Sequence, residues 1–123
     1  MDPLVPVSVG ELVDKYTILQ IKFENIVDPE KRIQISKELN HLQKYIDSID
    51  IQLIKELKEV NQILWNIEDL IRIKESLGEF DDSFISLARS VYKTNDLRFA
   101  LKSNINKLFK SGITEVKSYS TEN

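Results

Sequence analysis

Asn61, Trp65, Glu68, Arg72 and Glu75 recur four, three, four and three residues apart, the last four of them within the run "LWNIEDLIRIKE" (Leu64 to Glu75). On a helix that spacing makes one polar stripe beside an apolar seam. A second interruption lies in "LARSVYKTNDLR" (Leu87 to Arg98). There Arg89, Tyr92 and Asp96 share a face, while Asn95 and Arg98 fall where the apolar seam of Val91 and Leu101 should continue. The chemistry open to these side chains is recognition of a small anion. Arg72, Arg89 and Arg98 offer planar forks of donors for phosphate or carboxylate. Glu68, Asp69, Asn95 and Asp96 can orient hydroxyls, and the acids among them can hold Mg²⁺ or act as a general base. Trp65 and Tyr92 supply a stacking wall.

Four helices have to position these residues. "SVGE" (Ser8 to Glu11) is a capping box, in which the Ser8 hydroxyl and the Glu11 carboxylate each satisfy a free backbone N–H. Leu12, Tyr16, Leu19, Phe23 and Ile26 follow at helical spacing. Asp28-Pro29 caps and opens a second helix, and "DSID" (Asp47 to Asp50) breaks it before a third. In helix three, Leu53, Leu57, Val60, Leu64, Ile67 and Ile71 form a four-three seam resembling a coiled coil. Gly78 stops that helix, Asp81 or Asp82 caps the fourth, and Gly112 marks its end. The expected fold is all-α: one domain over 1–123 with helices at about 9–27, 29–47, 50–77 and 82–111 and an extended tail over 113–123. Short connections make it an antiparallel up-down four-helix bundle with two long C-terminal helices.

With the turn near Glu79 and Phe80, facing residues of helices three and four have numbers summing to about 160. Trp65 then faces Asn95, Glu68 faces Tyr92, and Arg72 comes near Arg89. The two interruptions arrive at one level of the bundle. Helices three and four, at ~40 Å each for ~1.5 Å per residue, outrun helices one and two, so their excess projects or is covered by a second subunit. The topology puts both termini at one end, where Leu4–Ser8 and Ile113–Tyr119, rich in Val and Ile, are read as a short β-ribbon.

Composition narrows the function classes. The chain has 123 residues, 30% charged and 41% hydrophobic, with 3 Gly and 3 Pro, which favours long helices. A net charge of -3 argues against a nucleic-acid binder. Without cysteine there is no thiolate catalysis, disulfide or Cys-based zinc site. The single histidine, His41, reads as a rim residue. No motif calls for a cofactor or a metal, no segment reads as a signal peptide or membrane span, and the expected location is the cytoplasm.

A structural role competes with the site. A buried Glu68–Arg98 or Asp69–Arg89 pair, completed by Asn95 and Tyr92, would fix register without binding anything. Asp14, one turn after Gly10, reads as a solvated first-turn acid favoured by the helix dipole.

Three resemblances bear on the choice. "LQKYIDSIDIQLIKEL" (Leu42 to Leu57) resembles the opening helix of helical chorismate mutases, but Gln43 and Val60 stand where that family's arginines belong, so the substrate clamp is missing. Helical nucleotide pyrophosphohydrolases hold Mg²⁺ with closely spaced acid pairs; here Glu68 and Glu75 are seven apart, and Asp96 has no Glu three before it. The third covers nearly the whole chain. "VPVSVGELVDKYTILQIK", "LWNIEDLIR", "FISLARSVYKTNDLRFALKSNIN" and "EVKSY" resemble an uncharacterised family of small bacterial and phage-borne proteins, a domain of unknown function. Its typical residues map onto Gly10, Glu11, Asp14, Lys15, Trp65, Glu68, Asp69, Arg72, Arg89, Tyr92, Asn95, Asp96 and Arg98. The resemblance implies no activity beyond an association with genes for surface sugars and glycosyltransferases. "TEVKSY" has one acid before the lysine where that family has two.

The sequence therefore predicts a small helical binding or accessory protein, homo-oligomeric, with a groove between helices three and four for a phosphorylated sugar or nucleotide. A structural or adaptor bundle is the first alternative, suited by Ile63, Leu70 and Leu77 beside the seam. A Mg²⁺-dependent phosphate-ester hydrolase is the second.

Overall fold

Each helix opens on a side chain that accepts one of its unpaired N–H groups. In the computed structural model, which describes residues 1–113 and 115–118, Ser8 Oγ accepts from the Glu11 N–H at 3.0 Å and starts α1 (Val9–Asn25). Asp28 does this for α2 (Pro29–Ile46), where Pro29 gives up no needed donor. Asp50 caps α3 (Ile51–Leu77), and Asp81 caps α4 (Asp82–Leu108) by accepting from the Phe84 N–H at 2.9 Å. Gly78 ends α3 at φ 66, a left-handed conformation that costs glycine nothing, and the Glu79 N–H donates back to the Lys74 carbonyl. At the end of α4 it is Lys110, at φ 50, and not Gly112, that turns the chain.

The protein is an all-α bundle of four helices, and its packing is uneven. α1 contacts α2, α3 and α4; α3 and α4 pair with each other, and α2 lies on α1. The main core gathers where α1 begins, from Val13, Tyr16, Ile46, Ile49, Ile54, Leu57 and Ile105. Both ends of the helical array meet there: the Val9 N–H donates to Ser111 Oγ at 3.3 Å and the Gly10 N–H to Asn106 Oδ1 at 2.7 Å. These are first-turn N–H groups with no partner inside their own helix.

α3 and α4 have 27 residues each against 17 in α1, so the α3–α4 hairpin outreaches the helix that covers it. No residue of α3 after Ile67 is buried, and none of α4 before Thr94. The excess therefore projects, carrying Leu70, Ile73, Leu77, Phe80 and Ile85 into solvent. No described helix is long and apolar enough to cross a membrane.

The expected terminal ribbon does not form among the described residues: neither Leu4–Ser8 nor 113 and 115–118 carries a strand. Thr114 and Tyr119, also expected in it, lie outside the described residues. Charge accounts for the difference. Glu115 and Lys117 are drawn onto α4 by Lys102 and Asp96, at 2.7 Å each.

Candidate functional site between α1, α3 and α4

Gly10, Val13, Asp14, Thr17 and Ile21 form the buried face of α1. Gly10 allows this face to approach α4 closely. A Cβ there would stand 2.5 Å from the Lys102 carbonyl oxygen and 2.9 Å from Asn106 Oδ1. The approach carries Asp14 into the interior, at 1% exposure. The expectation of a solvated first-turn acid is thereby overturned: Asp14 lies on the face that must meet α4, and its charge is met by partners instead of water.

Those partners satisfy the carboxylate on both oxygens. Arg98 donates from Nε to Oδ1 at 2.9 Å and from Nη2 to Oδ2, a two-pronged geometry that a lysine cannot reproduce. Asn61 Nδ2 donates to Asp14 Oδ1 and to Thr17 Oγ1, each at 2.9 Å, and the Thr17 hydroxyl donates to the Asp14 carbonyl at 2.9 Å. One turn along α4, the buried Lys102 ammonium meets Glu11 at 2.9 Å, Glu115 at 2.7 Å and Asp14 at 3.9 Å. Glu11 thus turns to Lys102 and not to the Ser8 N–H, so only the Ser8 half of the capping box forms. The hydrogen bond to Asp14 raises Arg98 above its ordinary pKa despite burial. Burial pulls the Lys102 ammonium down, but the hydrogen bonds to Glu11 and Glu115 outweigh it and leave the group raised.

Two open clefts flank Arg98. The inner one, about 320 Å³, is lined by Ile18, Lys22 and Asn61 together with Trp65, Glu68, Asn95 and Arg98. The outer one, about 300 Å³, is lined by Tyr92, Asn95, Arg98, Phe99, Lys102, Glu115 and Lys117. Both lie at the lower end of ligand-site volumes. Asn95 and Arg98 belong to both, so they form the wall between them. Arg98 commits Nε and Nη2 to Asp14, and among the described residues neither its Nη1 nor the half-buried Asn95 amide makes a hydrogen bond.

Of the nine residues assigned from sequence to ligand contact, the structure brings five to these clefts, Trp65, Glu68, Tyr92, Asn95 and Arg98, joined by Asn61 of the polar stripe. The other four lie outside them. Arg72 is exposed and makes loose pairs with Glu68 and Asp69, both at 3.7 Å. Arg89 stands with Asp82, Ser86 and Lys93 on a separate surface of α4. Asp96 accepts from Lys117 beside the outer cleft. The register pairs Glu68–Arg98 and Asp69–Arg89 do not form, because Asp14 takes Arg98 and Arg72 takes both acids.

Sequence reasoning left Asp14, Thr17 and Lys102 out of the site, and put Asn61 in the polar stripe without a role. A signal existed: Gly10, Asp14, Thr17 and Ile21 are spaced four, three and four apart, a helical face with a charge inside it. Lys102 follows Arg98 by four and precedes Ile105 by three, which places it on the seam.

Neither curated proteins nor solved structures give a match to this sequence. One family model does, over residues 4–123. Since that match spans nearly the whole length, the chain belongs to the family of unknown function DUF6165.

Proposed function

We propose that this protein binds an anionic small molecule, a phosphorylated sugar or a nucleotide, across the wall formed by Asn95 and Arg98. The observation that carries the reading is that these two residues line both clefts with donors uncommitted to the fold. Asp14 fixes the guanidinium from behind and leaves Nη1 for a ligand, which is preorganised recognition of an anion. Trp65 in the inner cleft and Tyr92 in the outer one supply ring faces on either side of that donor. Arg72, Arg89, Asp69 and Asp96 drop out of the first contacts and act at most on the surrounding field. The test is thermal stabilisation of the wild-type protein by inorganic phosphate, hexose phosphates and nucleotides, with the unphosphorylated compounds as controls. Stabilisation only by the phosphorylated set supports the reading. No response to any of them contradicts it.

A structural role for the network has support of its own, since Asp14 is fully paired across three helices. The two roles coexist in one arginine. The Asp14 contact fixes the bundle, and the side chain, still 29% exposed, reaches both clefts. The hydrolase reading has less behind it: among the described residues no group of three or more His, Asp or Glu side chains is placed to hold a metal ion.

The projecting hairpin supports self-association. Ile63, Leu70 and Leu77 are about half exposed or more and recur every seven residues, the spacing of a helix-pairing seam. Mass measurement in solution tests this, with a dimer expected and a concentration-independent monomer contradicting it. The cytoplasm, where phosphorylated sugars and nucleotides occur, is the compartment that suits the ligand.

A further inference from the structure

Glu115 stands beyond the end of α4, yet its carboxylate returns to Lys102 Nζ at 2.7 Å. Two residues on, Lys117 pairs with Asp96 at 2.7 Å and lies 5.2 Å from the centre of the Phe99 ring. Both residues line the outer cleft. The chain reaches it by reversing at Lys110, and Ser111 Oγ ties the reversal down by accepting from the Val9 N–H and donating to the Ile113 carbonyl. Residues 115–118 have no regular structure, so no backbone ladder of their own holds them against α4.

The cations of the outer cleft differ in what occupies them. Arg98 is held by Asp14, which is buried on a helix and cannot leave. Lys102 is shared between Glu11, on the rigid first turn of α1, and Glu115, on the irregular segment. An ammonium has three donors, and the one given to Glu115 is exchangeable without unfolding a helix. A ligand carboxylate or phosphate presents the same acceptor oxygens as Glu115 does. Resting on the anion site proposed above, we infer that residues 115–118 form a strap over it. Glu115 occupies on Lys102 the place of the ligand's anionic group, Lys117 anchors the strap on Asp96 and Phe99, and binding lifts the segment. The two acids of these pairs, Glu115 and Asp96, are about half exposed, so water and salt compete for them from the solvent side. A strap closed about nine-tenths of the time would lower apparent affinity roughly tenfold.

Calorimetric titration of the full chain with inorganic phosphate tests the strap in the wild type, Glu115→Gln and Lys117→Ala. Removing Glu115 favours an anion by charge alone, so the deciding variant is Lys117→Ala. Loss of that cation should weaken phosphate binding on electrostatics, but release of the strap should tighten it. Both variants are expected to bind phosphate about tenfold more tightly than the wild type. If Lys117→Ala binds no more tightly than the wild type while the wild type does bind, the strap is overturned and the anion site stands. If none of the three proteins binds phosphate, the strap fails together with the site beneath it.

Discussion

Arg98 grips both carboxylate oxygens of Asp14, a residue 84 positions earlier in the chain and 1% exposed. This pair ties the last helix to the first, and Asn61 brings in the third through the same oxygen. A charge so deeply placed is tolerable because both oxygens accept hydrogen bonds and a second cation, Lys102, stands 3.9 Å away, and its removal from one side strands the other.

Arg98→Met should therefore cost about 3–5 kcal/mol, because it leaves Asp14 buried without its main partner. Glu68→Gln should change stability by less than about 0.5 kcal/mol, since Glu68 is exposed and its pair with Arg72 is long. Urea denaturation of both variants beside the wild type measures the contrast. Equal losses would mean that the two acids are equivalent, against the geometry.

Why one acid was legible in the sequence and the other was not follows from how patterns record burial. Glu68 stood out because it interrupts the neighbourhood of a long seam, and Trp65, Asn95 and Arg98 were found by the same break in spacing. The four helices were legible for a related reason: Ser8, Asp28, Asp50 and Asp81 are caps whose residue types announce themselves. Asp14 lies close behind the first turn of α1, and an acid near a helix N-terminus is ordinarily a solvated complement to the dipole. Nothing local separates that case from a buried one. What separates them is Gly10, which lets α4 come close enough to cover the position, and a contact between the two chain ends cannot be read from either end alone. The tail misled for a similar reason. Its Val and Ile suggested a strand, while its fate was decided by Lys102 and Asp96 on another element.

Gly10→Ala should destabilise the protein by about 1–3 kcal/mol, the usual cost of forcing a methyl group into a filled site. The added Cβ would lie 2.5 Å from backbone at Lys102, which cannot rotate away. Thermal denaturation would show it as a lower Tm. Wild-type stability in this variant would mean that α1 and α4 are not in contact at this point.

Alkaline pH should loosen the same junction. Lys102 is raised above its ordinary value of 10.5 in the folded chain, so its stabilising contribution is fully present below about pH 10.5 and is lost as pH rises through the folded pKa. Stability measured from pH 8 to 12 should fall less steeply in Lys102→Met, already weaker at pH 8, than in the wild type. Parallel curves would show that Lys102 titrates alike in the folded and unfolded chains.

Asn95 separates the binding account from a purely structural one, because it lines both clefts and its side-chain amide makes no hydrogen bond among the described residues. The most direct measurement is a ligand titration of the wild type and Asn95→Ala, read through the fluorescence of Trp65, the single tryptophan, with Tm recorded for both. The account predicts that glucose 1-phosphate or a nucleotide perturbs Trp65 in the wild type. It also predicts that Asn95→Ala binds at least about tenfold more weakly, as expected for a lost hydrogen bond to a charged ligand, while Tm stays nearly unchanged. Equal binding by the two proteins, or a large fall in Tm without any effect of these ligands on the wild type, would contradict it.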